Sequence, residues 1–240
     1  MRRALPALAA LAVLAVLSGV AGAKPAKDES PQRFAVEIKF GPYYPEVDTE
    51  PGVGDPYARV FGDEAPLMFL AEFDWEFWQP KGVILALGVL GGYFQDSAKG
   101  LDPETGERAG ETTSLKVLPG HLDLVVRIDA LPQFTRVPLV PFVKVGLSYY
   151  VWWVTNGRGL GRADGTTGYG GTWGWNFSTG LMLLLDFLEP NAARTFDQEA
   201  GVNHSYVYGD FFLARVDDFG ARNKLTLSAI TWTVGLAIEF

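Results

Sequence analysis

The chain has 240 residues, no cysteine, 48% hydrophobic residues and a formal net charge of −8. The missing cysteines exclude disulfides, thiolate metal sites and a lipoprotein anchor, and the acidic balance argues against non-specific nucleic-acid binding. Mean hydropathy is +0.09, yet past the N-terminal segment no apolar run approaches the ~20 residues of a membrane-spanning helix.

Arg2-Arg3, the apolar run Ala4 to Leu17 broken only by Pro6, and Ala21-Gly22-Ala23 have the charged, apolar and small-residue order of a secretory signal peptide. Residues 1–23 are expected to be removed, 24–33 to form a periplasmic linker, and 34–240 to form one domain. Loss of Arg2 and Arg3 moves the formal charge from −8 to −10.

From Phe34 onward the dominant signal is a period of two, which marks strands with one apolar face. Phe34, Val36, Ile38 and Phe40 alternate with Ala35, Glu37 and Lys39 in a first strand, Phe34 to Gly41. A Pro- and Gly-rich loop leads to the second, Leu67 to Trp78, in which Phe69, Phe73, Trp75 and Phe77 oppose Glu72, Asp74 and Glu76. Gln79-Pro80-Lys81-Gly82 reads as a tight turn, and Val83 to Gln95 as the third strand, followed by a long loop from Asp96 to Glu111. The fourth, Thr113 to Asp129, sets Leu122, Leu124, Val126 and Ile128 against His121, Asp123, Arg127 and Asp129. Its upstream Leu115 and Val117 are out of phase, and Leu118-Pro119-Gly120 between them predicts a bulge.

The fifth strand, Val140 to Thr155, opposes Val145, Leu147 and Tyr149 to Lys144, Gly146 and Ser148. A Gly-rich loop separates it from the sixth, whose outer face runs from Trp173 to Phe187. Within Leu188 to His204, Glu189-Pro190 offers the start of a short helix. The seventh strand, Ser205 to Val216, places Tyr206, Tyr208, Phe212, Ala214 and Val216 on its apolar side, and Asp217 to Asn223 links it to the last, Leu225 to Phe240. Eight strands in sequential hairpins predict an all-β, eight-stranded antiparallel transmembrane up-and-down β-barrel. With Phe34 starting in the periplasm, connections one, three and five are long and external, while two and four are short. Connections six (long) and seven (short) break that rule.

A soluble barrel with its apolar face inward has the same period. Two features favour lipid outside. The polar faces are rich in small residues (Gly88, Gly92, Gly146, Ser148, Gly174, Ser178, Gly180 and Gly235), as a narrow interior requires. Aromatics gather at strand ends: Tyr43, Tyr44, Tyr93, Tyr149, Trp152, Trp153, Trp173 and Trp175 toward the loops, and Trp75, Phe77, Trp78, Phe187, Tyr206, Tyr208 and Phe240 toward the turns. Inward charges then need partners. Glu37, Lys39, Glu72, Asp74, Glu76, Asp123, Arg127 and Lys144 are expected to form a luminal network, with Glu72, Asp74 and Glu76 pairing with some of Lys39, Arg127 and Lys144. Such a network makes a plug; a gated ion path or an internal ligand site is the alternative.

The chain ends on Trp232, Val234, Leu236, Ile238 and Phe240 in alternation. That ending resembles the C-terminal signal read by the outer-membrane assembly machinery. The whole pattern resembles the small outer-membrane barrels typified by OmpX, the OmpA membrane domain and OmpW. Phe34-Ala35-Val36-Glu37-Ile38-Lys39-Phe40-Gly41-Pro42-Tyr43-Tyr44-Pro45 is similar to the opening strand of a deltaproteobacterial family of predicted outer-membrane barrels. The resemblance implies the cell outer membrane, with lipid and the assembly machinery as partners. It carries over no catalytic residue, and the peptidoglycan-binding domain of OmpA-type proteins is not expected after Phe240.

An enzyme acting on lipid A or peptides is the rival class. His121 lies near Asp123, but side chains two apart on a strand run parallel rather than converge. His204-Ser205 falls at a strand end expected on the periplasmic side. No G-x-S-x-G or H-E-x-x-H motif occurs, so no catalytic residue or cofactor is assigned. Asp55, Asp63 and Glu64, with Asp96, Asp102 and Glu104, are oxygen donors of the kind calcium takes, but they lack a loop signature, and no metal is assigned. Tyr57, Phe61, Leu160 and Tyr169 are candidate exposed contacts for an external ligand of unknown identity.

Overall fold

The computed structural model describes residues 32–49, 54–101, 108–135, 137–157, 159–163, 166–188, 200–221 and 225–240. The expected signal peptide, the linker up to residue 31 and the proposed helix start at Glu189-Pro190 lie outside these residues.

Eight long strands form the barrel: β1 (Phe34–Pro42), β2 (Leu67–Trp78), β3 (Ile84–Leu101), β4 (Arg108–Arg127), β5 (Leu139–Asn156), β6 (Tyr169–Leu184), β7 (His204–Val216) and β8 (Ala229–Glu239). Each pairs antiparallel with the next, β4 with β5 included, and β8 closes on β1 through Val36 opposite Ile238 and Ile38 opposite Leu236. Over the height that all eight strands share, closure leaves no unpaired sheet edge, the condition for a strand structure to stand in hydrocarbon. The start of β1 and the end of β8 meet at one rim, where Phe34 N donates to Phe240 O at 2.8 Å. This is the terminal rim, and the other is the loop rim.

Alternation sorts the side chains. Ile38, Val89, Leu122, Leu147, Leu181, Ile230 and Leu236 stand outward and exposed, while Glu37, Lys39, Asp74, Arg127 and Lys144 are buried inward. An exterior this apolar around an interior this charged is the inverse of a soluble protein, and it suits a barrel solvated by lipid. Trp232, Val234, Leu236 and Ile238 all lie on the outward face of β8.

The strands differ in length. β3, β4, β5 and β6 have 18, 20, 18 and 16 residues, against 9, 12, 13 and 11 in β1, β2, β7 and β8. About 9–11 residues cross a bilayer, so four consecutive strands make a wall that rises beyond the membrane at the loop rim. The outward face of β3 changes there from Val89 and Tyr93 to Gln95, Ser97 and Lys99. The hydrophobic period alone ends the third strand at Gln95 and begins the fourth at Thr113. The ladder instead continues to Leu101 opposite Arg108, because polar residues pair as well as apolar ones once the wall leaves lipid.

Other boundaries shift too. The fourth strand stops at Arg127, short of Asp129, and the connection to β5 holds the helix α1 (Ala130–Thr135). The sixth strand ends at Leu184, before Phe187. The last begins at Ala229 rather than Leu225, so connection seven spans 217–228 and fits the pattern of long connections at the loop rim.

The bulge expected at Leu118-Pro119-Gly120 is absent: β4 holds one register against β5 from Ser114–Thr155 to Arg127–Phe142. Leu115 and Val117 are in phase with Arg127 and point inward. They are apolar because the lumen itself becomes apolar toward the loop rim. Apolar lumen at both ends reverses β7, with Tyr206 and Tyr208 in the cluster near the terminal rim and Phe212, Ala214 and Val216 in the one near the loop rim. Tyr206, Tyr208, Phe212, Ala214 and Val216, expected on the lipid face, are buried inside, and Val207 and Phe211 face outward. Tyr43, assigned to the aromatic girdle, is likewise fully buried.

Candidate functional site

Three layers fill the barrel. Toward the terminal rim, Val140, Phe142, Met182, Tyr206, Tyr208 and Ala237 cover one side. A charged layer runs beside them from the terminal rim, where Arg127 lies opposite Phe142 and Glu239 opposite His204, up to Lys39, Glu72 and Asp123 in the middle. Toward the loop rim, Tyr43, Met68, Leu70, Leu90, Phe94, Val117, Tyr150, Phe212 and Leu227 form one continuous apolar core.

Arg127 organises the charged layer. It reaches from β4 across the lumen, Nη2 donating to Glu37 Oε1 at 2.8 Å and to Asp74 Oδ2, and Nη1 to Glu76 Oε1 at 2.7 Å and Glu239 Oε1 at 2.9 Å. A guanidinium suits this because its planar fork offers several donors at once. Lys144 on β5 donates to Glu37 Oε2 at 2.8 Å and Glu72 Oε2 at 2.7 Å. Lys39 is held less closely, 3.4 Å from Glu72 Oε2 and 3.8 Å from Asp210 Oδ2. Asp123 joins a neutral chain, accepting from Asn176 Nδ2 at 2.8 Å while Ser148 Oγ donates to Asn176 Oδ1 at 2.9 Å.

Two members escape sequence reasoning. Glu239 stands on the polar face of the last strand, a visible signal whose link to Arg127 only the closed barrel makes. It also accepts from Tyr206 Oη at 2.9 Å. Asp210 shares a face with Tyr208 and Phe212, and assigning those aromatics to lipid hides it. Among the described residues, the buried carboxylates are Glu37, Glu72, Asp74, Glu76, Asp123, Asp210 and Glu239, and the buried cations are Lys39, Arg127 and Lys144. Seven acids against three bases leave a surplus of four.

Glycine makes room for these groups. A Cβ on Gly88 would stand 2.6 Å from both Glu72 Oε1 and Asp74 Oδ1, closer than real Cβ atoms approach. A Cβ on Gly146 would collide with Asp123 Oδ1 and the neighbouring backbone. Gly88 and Gly146 therefore leave the spaces into which Glu72, Asp74 and Asp123 fold.

At the loop rim the first connection packs onto the apolar core. Tyr43 Oη donates to Leu227 O at 2.7 Å, and its ring meets Phe94 edge-on at 4.7 Å. The first connection carries a 3-10 turn (Glu46–Thr49) and the helix α2 (Pro56–Phe61). The Asp48 carboxylate accepts from Tyr57 N at 2.7 Å and Ala58 N at 3.0 Å, satisfying helix-start donors that would otherwise lack partners. Tyr57 Oη donates to Asp96 Oδ2 at 2.7 Å, and Arg108 Nη1 to Val60 O at 2.5 Å, tying α2 to the tall wall. Burial and the hydrogen bond to Asp96 push the Tyr57 phenol up. Burial and the bond to Asp48 push Tyr44 up to about 12. Tyr57 is buried and Phe61 packs on the apolar core, so neither is the exposed contact expected from sequence; Leu160 and Tyr169 are exposed.

His121 is enclosed. Its ring stacks at 5.6 Å on both Tyr150 and Phe212, its Nε2 lies 3.2 Å from Tyr150 Oη, and its Nδ1 stays 3.9 Å from Asp123 Oδ2. The histidine with a close carboxylate is His204, whose Nδ1 is 2.6 Å from Asp186 Oδ2 near the terminal rim. Beside it in the β4–β5 connection, burial and then the nearby Glu239 raise Asp129 to about 6. Asp102 and Glu104 lie outside the described residues. Among the described residues no three His, Asp or Glu side chains gather to hold a metal.

No protein-family model matches the chain, and no curated protein matches it. Several solved structures are similar in shape. A major outer membrane protein from Thermus thermophilus has 12% identity and a TM-score of 0.47, covering 88% of this chain and 100% of that one. Ail, the attachment invasion locus protein of Yersinia pestis, in complex with the heparin analogue sucrose octasulfate, has 12% identity and a TM-score of 0.44 over the same shares. OprG from Pseudomonas aeruginosa has 11% identity and a TM-score of 0.44, covering 90% and 99%. The assignment rests on the chain's own register and faces: closed from β1 to β8, apolar outside and charged within, it is an eight-stranded transmembrane β-barrel of the outer-membrane kind.

Proposed function

We propose that this is an integral outer-membrane protein with a sealed lumen, a non-catalytic barrel whose role is structural or is exercised through its external face. The terminal rim faces the periplasm, and the tall wall with its tied-down first connection stands outside, in keeping with longer external connections. Trp232, Val234, Leu236, Ile238 and Phe240 present the strand that the assembly machinery reads.

The observation that carries this reading is the reach of Arg127 from β4 to carboxylates on β1, β2 and β8. A side chain that bridges the interior to three other strands blocks it, and the apolar layer above offers ions no solvation. An eight-stranded interior has width for side chains and little else. His121, shut between two rings, has no access to substrate.

The test is conductance of refolded protein in planar bilayers, with outer-membrane fractionation and heat-dependent gel mobility alongside. Little or no conductance and a faster unheated band are expected. A large, stable open conductance would overturn the sealed lumen in favour of a small-solute or ion channel. Native protein recovered as a soluble periplasmic species would overturn the membrane reading.

A further inference from the structure

The cations of the charged layer all approach Glu72 and Asp74 from one side. Lys144 and Lys39 address Glu72 Oε2, while Arg127 and Lys144 address Asp74 Oδ2. The other oxygens, Glu72 Oε1 and Asp74 Oδ1, are buried and have no hydrogen-bond partner. Both side chains are wholly shielded from solvent. The two bare oxygens converge over Gly88, each 2.6 Å from the point where a Cβ would stand. Two buried carboxylate oxygens converging beside one glycine without a donor, in a layer with four surplus acids, call for positive charge between them.

We infer that Glu72 Oε1 and Asp74 Oδ1, converging over Gly88, bind one small monovalent cation of the alkali-metal kind inside the barrel wall. The donors are oxygens only, which select hard cations over transition metals. A divalent ion needs about six oxygens, and no cluster of three acids or histidines is available among the described residues. A monovalent ion needs fewer charged ligands and can keep water in the rest of its shell. It would neutralise part of the surplus that Arg127, Lys39 and Lys144 leave. The site does not depend on whether the lumen conducts, because it lies against the wall.

The test is unfolding of the full mature protein in detergent or lipid, refolded in sodium, potassium or choline chloride at one ionic strength, so that screening is equal. A bound cation raises the denaturant midpoint saturably as alkali replaces choline, and Glu72→Gln removes that dependence. Equal midpoints in all three salts would overturn the site and leave the charge to a proton or the oxygens to water. A sodium effect that survives unchanged in Glu72→Gln would also overturn it, by placing the ion elsewhere. Should Glu72→Gln not fold, Asp74→Asn serves in its place. Sodium-23 line broadening by folded wild type, absent after unfolding, reads the same site without substitution, and no broadening would count against it.

Discussion

The terminal-rim and loop-rim halves of the lumen are filled by opposite means. From the terminal rim to the middle, Arg127 and Lys144 hold carboxylates from three neighbouring strands in a network whose members depend on one another. Near the loop rim, Phe94, Val117, Tyr150 and Phe212 fill the same cylinder by packing, with Tyr43 and Tyr57 lowered onto them from the first connection. A charged seal is strong only while every partner is present, since one deletion strands a buried charge. An apolar seal loses roughly the side chain removed and the cavity left behind. The first also attracts ions and water, whereas the second repels both.

The largest effect is expected where the charged seal is broken at its centre. Arg127→Met leaves four buried carboxylates without their shared donor and should cost at least the roughly 3–5 kcal/mol of one broken buried pair, with lumen water lowering the figure. Urea unfolding in detergent checks it, and bilayer recordings of the same variant should show raised conductance if this layer is the barrier. In the apolar seal, Phe94→Ala should cost about 3–5 kcal/mol, toward the lower end if the first connection settles into the space. Its conductance should stay low because the charged layer remains. A variant pair with the opposite pattern would assign the barrier to the apolar half.

Outside the lumen, Leu124→Arg in the middle of the lipid face should destabilise by about 2–4 kcal/mol. Ser97→Arg, on the wall above the membrane, should be nearly neutral. Equal costs would misplace the membrane boundary on the tall wall.

The smallest effects separate the two rims by pH. Tyr44, raised to about 12, and Tyr57, also raised, stay protonated in the fold above pH 10, where the unfolded phenols ionise. Stability of the first connection is therefore full below about pH 10 and is lost as pH climbs through 12. Asp129, raised to about 6 by burial and Glu239, contributes fully below about pH 4, and its contribution is lost as pH rises through 6. Hydrogen exchange, read separately in the first connection and in the β4–β5 turn, should show alkaline loosening in one and acid tightening in the other. Tyr57→Phe, which removes the bond to Asp96, should weaken the loop end by about 1 kcal/mol.

Much of the barrel is legible in the sequence because side chains alternate across a strand wherever one face meets lipid and the other a lumen. Ile38 against Lys39, Leu124 against Arg127 and Leu236 against Glu239 each declare their side locally. The number of strands and the inward position of Arg127 and Lys144 follow from that alternation. It fails where both faces have the same character. On β7 the lumen and the lipid are both apolar, so Tyr208 and Phe212 give no sign of pointing inward, and Asp210 is lost with them. On β3 and β4 the extension beyond Gln95 is polar on its outward side, so it reads as loop. Which carboxylate meets which cation, the enclosure of His121 and the convergence of Glu72 and Asp74 on Gly88 depend on barrel closure, which brings β1, β2, β4 and β8 across a shared interior. Period and charge are local properties of the chain, as is facing wherever lumen and lipid differ in character; the partners of the charges follow from closure, because those contacts join residues far apart in the chain.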